Sequence, residues 1–267
     1  MADEYKSKYT GEQIDSYLDD VATLKEQQTA ERLNILEKWM KAENYTGITI
    51  STTGTMATAL FGDFVENRTI SWSISKEATS IKITLPNGNT IDVSKLDTVD
   101  LSGNGTSYYK DTNTYQVTSA LTWQIKATEK DGKDTGEVDG NGEPVITYKT
   151  DIKSTSVAMQ YAVFWGTGTK ETGFDAAFFG SLSSGSATSK SRTISFGSVS
   201  GKYVYYAVPK ALCGTEPKFD INGDGFIDNF EKMPEITLTF NGASIGYYLY
   251  RSTNLLTSEE EFKVVVS

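Results

Sequence analysis

From Thr10 to about Ala42 the apolar residues return at helical spacing: Ile14, Tyr17, Leu18, Val21 and Leu24, then, past a polar step, Leu33, Ile35, Leu36, Trp39 and Met40. Thr10-Gly-Glu-Gln13 opens the run as a capping box, with the Thr hydroxyl and the Gln side chain placed to satisfy the first free backbone donors. Nothing after Gly11 breaks the helix, and acids (Glu12, Asp15, Asp19, Asp20) precede bases (Lys25, Arg32, Lys38, Lys41), the order the helix dipole favours. About thirty residues at 1.5 Å each make roughly 45 Å, longer than a small domain is wide, so the stripe needs a partner. It can pack on a copy of itself, bend at Lys25 to Thr29 into a helical hairpin, or lie on its own β domain. The heptad phase breaks: positions 14, 21, 28 and 35 read Ile, Val, Gln and Ile, while the second half follows 33, 36 and 40, short of a sustained coiled-coil seam.

From Ile48 onward the period falls to two, the mark of half-buried strands. Ile70, Trp72 and Ile74 alternate with Ser71 and Ser73, and Ile81, Ile83 and Leu85 run into Pro86-Asn87-Gly88-Asn89. There Asn-Gly predicts a type I′ hairpin turn with a return strand carrying Ile91 and Val93. Leu121, Trp123, Ile125 and Ala127 share one face of a later strand, opposite Thr122, Gln124, Lys126 and Thr128. Trp72 and Trp123 are therefore expected in a core. Asp131 to Pro144 is acidic and Gly-rich; its acids fit no regular ligand spacing for a second cation loop, so it reads as a solvated hairpin tip. Beyond Met159, Tyr161 to Thr169 is a strand running into a turn, Phe174 to Leu182 a short helix, and Ser183 to Ser191 a Ser/Gly-rich loop. Strands are expected at Arg192 to Phe196, Lys202 to Val208, Ile236 to Phe240, Tyr247 to Tyr250 and Phe262 to Val266.

The predicted class is mainly β: a helical segment over 1–44, a β-sandwich over 45–158 and a second sandwich-like β domain over 159–267. At 267 residues the chain is long enough for two domains, and 38% apolar content is enough to build their cores. A net charge of -10 without a Lys/Arg cluster argues against nucleic acid as a partner. No run approaches the roughly eighteen apolar residues of a membrane span, and the first thirty residues are too charged for a signal peptide, so synthesis in a cytoplasm is expected. The absence of histidine removes Ser-His-Asp and Cys-His catalysis. The lone Cys213 excludes an internal disulfide and reads as a small buried hydrophobe with no imidazole to activate it. No repeat of the kind seen in solenoid depolymerases occurs, and no enzyme is expected.

One stretch carries chemistry. Asp220-Ile-Asn222-Gly-Asp224-Gly225-Phe226-Ile-Asp228-Asn-Phe-Glu231 matches a twelve-residue calcium loop. Oxygens of Asp220, Asn222 and Asp224, the carbonyl of Phe226, a water held by Asp228 and both oxygens of Glu231 would surround one Ca2+, while Gly225 permits the sharp turn. The flanks are not those of an EF-hand: the Lys218-Phe219 lead-in reads as strand, and Pro234 stops any exiting helix. The other reading is a polar strand turn at Asn222-Gly223.

Tyr9-Thr-Gly-Glu-Gln-Ile-Asp-Ser-Tyr-Leu18 resembles the helix that opens many virion fibre and tail proteins of phages infecting Bacteroides-type hosts, including crAss-like phages. Thr69 to Lys76 and Leu121 to Glu129 resemble strands of the immunoglobulin-like modules common in such fibres. The chain departs from them in its longer insert, Leu101 to Thr118, and in lacking the antibody Cys pair. Segments starting at Tyr161, Ser191, Gly201 and Tyr247 resemble the carboxy-terminal domain of several tail and fibre proteins, where a Phe-x-Val/Ile-Asn-Gly hairpin occupies the place of the acidic loop. The resemblance implies a structural protein of the virion, in head or tail, assembled in the host cytoplasm. It further implies a helical anchor, a dimer or trimer as homo-oligomer, capsid or tail proteins as partners, and a host surface glycan or protein as target. The rival expectation is a free-standing carbohydrate-binding module or adhesin.

Overall fold

The structure, a computed structural model, describes residues 10–43, 45–53, 57–197, 199–223, 225, 229–258 and 262–267. Helix α1 (Gly11–Glu43) is one 33-residue element. Both arms of the capping box form: the Thr10 amide donates to Gln13 Oε1 (3.0 Å) and the Gln13 amide to Thr10 Oγ1 (3.3 Å). The bend allowed for at Lys25 to Thr29 does not occur. The hydroxyls of Thr23 and Thr29 turn back onto the carbonyls of Asp19 (2.9 Å) and Lys25 (2.7 Å), so the polar step satisfies itself within the helix. Leu18, Val21, Leu24, Leu33 and Leu36 are 61%, 52%, 56%, 57% and 54% exposed, so at these five positions the stripe is not covered by the chain's own β body. The side chains of Ile14, Ile35, Trp39 and Met40 lie outside the described residues. Among the described residues no helix is long and apolar enough to cross a membrane.

The fold is mainly β, with several sheets after the one long helix. The chain continues through β1 (Ile50–Thr53), β2 (Ala57–Leu60), β3 (Phe64–Val65), β4 (Arg68–Ile74), β5 (Ala78–Thr84) and β6 (Thr90–Asp92). Then come β7 (Thr106–Asp111), β8 (Tyr115–Gln116), β9 (Leu121–Glu129), β10 (Lys133–Val138), β11 (Pro144–Thr147) and the long β12 (Thr150–Gly168). Strands β1, β4 and β7 form one antiparallel sheet; β12, β9, β5 and β6 form the facing layer. Their inward alternation gives one core in which Ile70, Trp72, Ile81, Ile83, Trp123 and Ile125 are at most 2% exposed. The insert Leu101 to Thr118 contains β7, which pairs with β4 from Arg68 to Ser73.

The β5–β6 hairpin forms, but its turn is not type I′. Gly88 alone has positive φ (+86°); Pro86, held at negative φ by its ring, leads a three-residue loop closed by the Leu85 amide on the Asn89 carbonyl (2.8 Å). The acidic Asp131 to Pro144 stretch is the exposed β10–β11 hairpin, whose tip is tied by Asp139 Oδ1 accepting from the amides of Asn141 (2.8 Å) and Glu143 (3.0 Å).

The second half contains α2 (Ala176–Gly180), β13 (Ser183–Ala187), β14 (Arg192–Phe196), β15 (Val199–Pro209), β16 (Phe219–Ile221), β17 (Phe230–Lys232), β18 (Ile236–Phe240), β19 (Ala243–Ser252), β20 (Leu256–Ser258) and β21 (Phe262–Val266). The predicted loop at Ser183 to Ser191 begins as a strand. β13 pairs with β12 from Tyr161 to Trp165, and its small residues leave room for Arg192 to lie over the Trp165 ring at 4.2 Å. Strand β12 runs through the 158/159 boundary unbroken, pairing with β9 at its start and β15 at its end. On one face of the sheet, Val204, Tyr206, Val208 and Tyr250 pack against the small sheet β14-β21-β16. On the other, Tyr205, Ala207, Tyr247 and Leu249 pack under α2. Burial pushes the Tyr206 phenol up to about 12, so it stays protonated and donates to the Lys190 carbonyl (2.6 Å).

Candidate functional site

The acidic loop sits where the chain passes from β16, in the small sheet, to β17, at the edge of the large one. Asn222 (φ +56°) and Gly223 (φ +88°) make the turn, and Asp220 Oδ1 accepts the amides of Gly223 (3.0 Å) and Gly225 (3.2 Å). Asn222 Oδ1 accepts from the Lys263 amide (2.8 Å), which ties the turn to β21. Phe219 and Ile221 pack into the core between the two sheets, so Asp220 between them points away from it. Phe230 stacks on Phe219 at 4.1 Å, which sends the next residue, Glu231, to the opposite face of β17. There Glu231 pairs with Arg251, whose guanidinium also lies over the Tyr203 ring at 4.3 Å. Thus Asp220 and Asn222 come together at the turn, and Glu231 is held elsewhere. Asp224, Phe226 and Asp228 lie outside the described residues, among which no group of three acid or thiol side chains is arranged to hold a metal.

A second feature lies beside Glu231. The segment Glu171 to Phe174, between β12 and α2, faces Met233 to Ile236, which leads from β17 into the start of β18, across a cleft of about 360 Å³. Phe174, Met233, Pro234 and Ile236 are its apolar lining residues, and Glu171 and Glu235 are its acidic ones. Both sides are pinned to the sheet. The Tyr205 phenol donates to the Lys170 carbonyl (2.7 Å), Arg251 Nη1 to the Glu171 carbonyl (2.9 Å), and the Met233 amide to the Leu249 carbonyl (2.8 Å). Phe174 is backed by Phe178 (4.9 Å between rings) and Tyr205 (5.9 Å).

The charges around this cleft are mostly consumed. Lys210 pairs with Glu235 (2.9 Å), Lys170 with Asp175 (3.9 Å) and Arg251 with Glu231. Glu171 is ion-paired with no lysine or arginine among the described residues. Its Oε1 accepts from the Tyr203 phenol (3.1 Å), which burial and then Glu171 itself hold above the ordinary tyrosine value and so keep as a donor. Sequence reasoning passes over Glu171, Phe174 and Glu235 because the two walls are about sixty residues apart in the chain. The local signal is slight: Pro234 was visible only as a helix stop.

The third feature is α1 itself. Just past its end the Tyr45 phenol donates to Glu129, which is 0% exposed, and the Lys149 amide donates to the same oxygen (2.7 Å). Lys76 covers the Tyr45 ring at 4.5 Å. The exit of the helix is therefore fastened to the β body while Leu18, Val21, Leu24, Leu33 and Leu36 stay exposed. Compared with known proteins, the chain matches no protein-family model and no curated protein.

Proposed function

We propose that this chain is a structural protein of a phage virion, a fibre-type or decorating subunit of the head or tail. In this reading the helix within residues 1–44 is the anchor, and the β modules, an immunoglobulin-like sandwich and a carboxy-terminal β domain, face the host surface. The observation that carries it is the exposed stripe: five aliphatic side chains, each more than half exposed on a 33-residue helix fastened at one end, suit a segment that finishes its burial in an assembly. The resemblance of Tyr9 to Leu18 and of the later strands to fibre proteins points the same way. No catalysis belongs to this reading. A fusion of residues 1–44 to an unrelated reporter is expected to decorate purified particles. Particle binding by residues 160–267 instead would reverse the orientation.

The same reading keeps calcium as a ligand of the loop from Asp220 to Glu231. To give both oxygens to a cation, Glu231 has to leave Arg251, so binding would couple the loop to the edge of the large sheet. Calcium at about one hundred times its dissociation constant adds roughly 2.7 kcal/mol to the folded state if it binds that state alone. Melting is expected to rise through millimolar calcium and to lose that rise in Asp224→Ala. Glu231→Gln is expected to abolish the rise and also to lower the calcium-free melting point, because it breaks the Arg251 pair. Melting that stays flat across the range removes calcium from the reading.

A further inference from the structure

We propose that the cleft between Glu171 and Glu235 binds a single hexopyranose that carries no acid group, the exposed end of a surface glycan. The cleft volume, about 360 Å³, falls at the lower end of small-ligand pockets, which run from roughly 300 to 1,000 Å³. Its shape is set before any ligand arrives, since the backbone on each side is held by buried side chains or by the sheet.

The chemistry selects the ligand. A pyranose has an apolar C–H face and a rim of hydroxyls that donate hydrogen bonds. The cleft offers the complement: an apolar lining that includes Phe174, and the carboxylate of Glu171, whereas that of Glu235 is held by Lys210. Acidic sugars are disfavoured. Each nearby cation already holds a carboxylate, Glu171 has no cationic partner among the described residues, and the chain carries a net charge of -10. An uncharged sugar meets no repulsion, and an amino sugar gains from Glu171. A weak single-sugar site of this kind becomes useful when several copies engage one surface, because linked sites bind with high effective concentration.

This deepens the attachment reading and rests on it only for the source of the sugar. The test uses full-length protein and ligand-observed NMR with calorimetry. Its panel is glucose, galactose, mannose, N-acetylglucosamine, glucosamine, glucuronic acid and sialic acid at up to tens of millimolar, the weak range expected of one sugar. One or more of the uncharged or amino hexoses is expected to bind, with neither acid binding. Glu171→Gln is expected to weaken binding about tenfold or more with little change in melting, since it exchanges a charged acceptor for a neutral one. Phe174→Ala is expected to abolish binding; because that ring also packs on Phe178, the glutamate variant carries the decision. No hexose bound across the panel, an acidic sugar bound as well as the neutral ones, or affinity unchanged in Glu171→Gln would each overturn the proposal. Particle decoration by residues 1–44 is read separately, so either result can fail while the other stands.

Discussion

Full-length protein is expected to sediment at micromolar concentration as a trimer, near three times 29.3 kDa, and the double variant Leu24→Glu with Leu33→Glu as a monomer of unchanged melting. At 3.6 residues per turn, Leu24, Val21, Leu18, Leu36 and Leu33 spread over about half the circumference of α1. A two-stranded coil covers a narrower seam, so each helix is expected to meet two neighbours rather than one. Lys25, Gln28, Thr29 and Arg32 interrupt the stripe and break its heptad phase, which favours a short bundle over a long supercoil. Each buried leucine is worth about 1.5–3 kcal/mol, so losing two per chain costs about 3 kcal/mol or more, over a hundredfold in association. Neither position is covered in the single chain, so the β body has nothing to lose. A full-length monomer at micromolar concentration counts against self-association altogether, and a dimer counts against the argument from stripe width.

How far the sequence reached depended on how local each cause was. Thr10 and Gln13 stand three apart and form their box whatever lies elsewhere. Trp72 and Trp123 sit in alternating runs and are both 0% exposed. Turn chemistry was readable but misassigned. Asn87-Gly88 looked like the type I′ turn, yet Pro86 forces a three-residue loop. Both residues have positive φ at Asn222-Gly223, in the acidic loop, and at Asn241 (φ +49°) and Gly242 (φ +91°), the pair that joins β18 to β19 directly. The Asn241-Gly242 pair stands between the alternating Ile236, Leu238 and Phe240 and the strand through Tyr247, the same local signal as at Asn87-Gly88. Ser183 to Ala187 has a loop's composition, and only its neighbours Trp165 and Arg192 explain why it pairs as a strand. The direction of Glu231 was beyond reach for the same reason: twelve-residue spacing says which side chains lie near in sequence, while strand pairing across β17 and β19 decides that this one meets Arg251. The Glu171–Glu235 cleft is longer-range still, since no pattern within either segment points to the other.

Asp111→Ala is expected to be among the most destabilising single substitutions in the first β layer, by about 3–5 kcal/mol. Asp111 ends β7 inside the stretch that reads as an insert, and it is 0% exposed. Its Oδ2 accepts from the Trp123 indole (2.7 Å) and the Tyr115 phenol (2.8 Å), and its Oδ1 from the backbone amide (3.1 Å) and side-chain amide (2.7 Å) of Asn113. Removing the carboxylate leaves the buried Trp123 indole and the part-buried Tyr115 phenol without this acceptor, which costs more than the bonds are worth net. Burial alone would raise the Asp111 carboxyl; the bonds from Trp123, Asn113 and Tyr115 outweigh it and hold the group below its ordinary 3.8. A folded value below the unfolded one means the stabilisation is fully present above pH 3.8 and is lost as pH falls through the folded value. Denaturant titrations of wild type should therefore lose stability steeply on acidification below about pH 4, and Asp111→Ala should lack that share of the loss. If the variant unfolds at the wild-type midpoint at pH 7, or keeps the full acid limb, the buried carboxylate is not what ties β7 to Trp123.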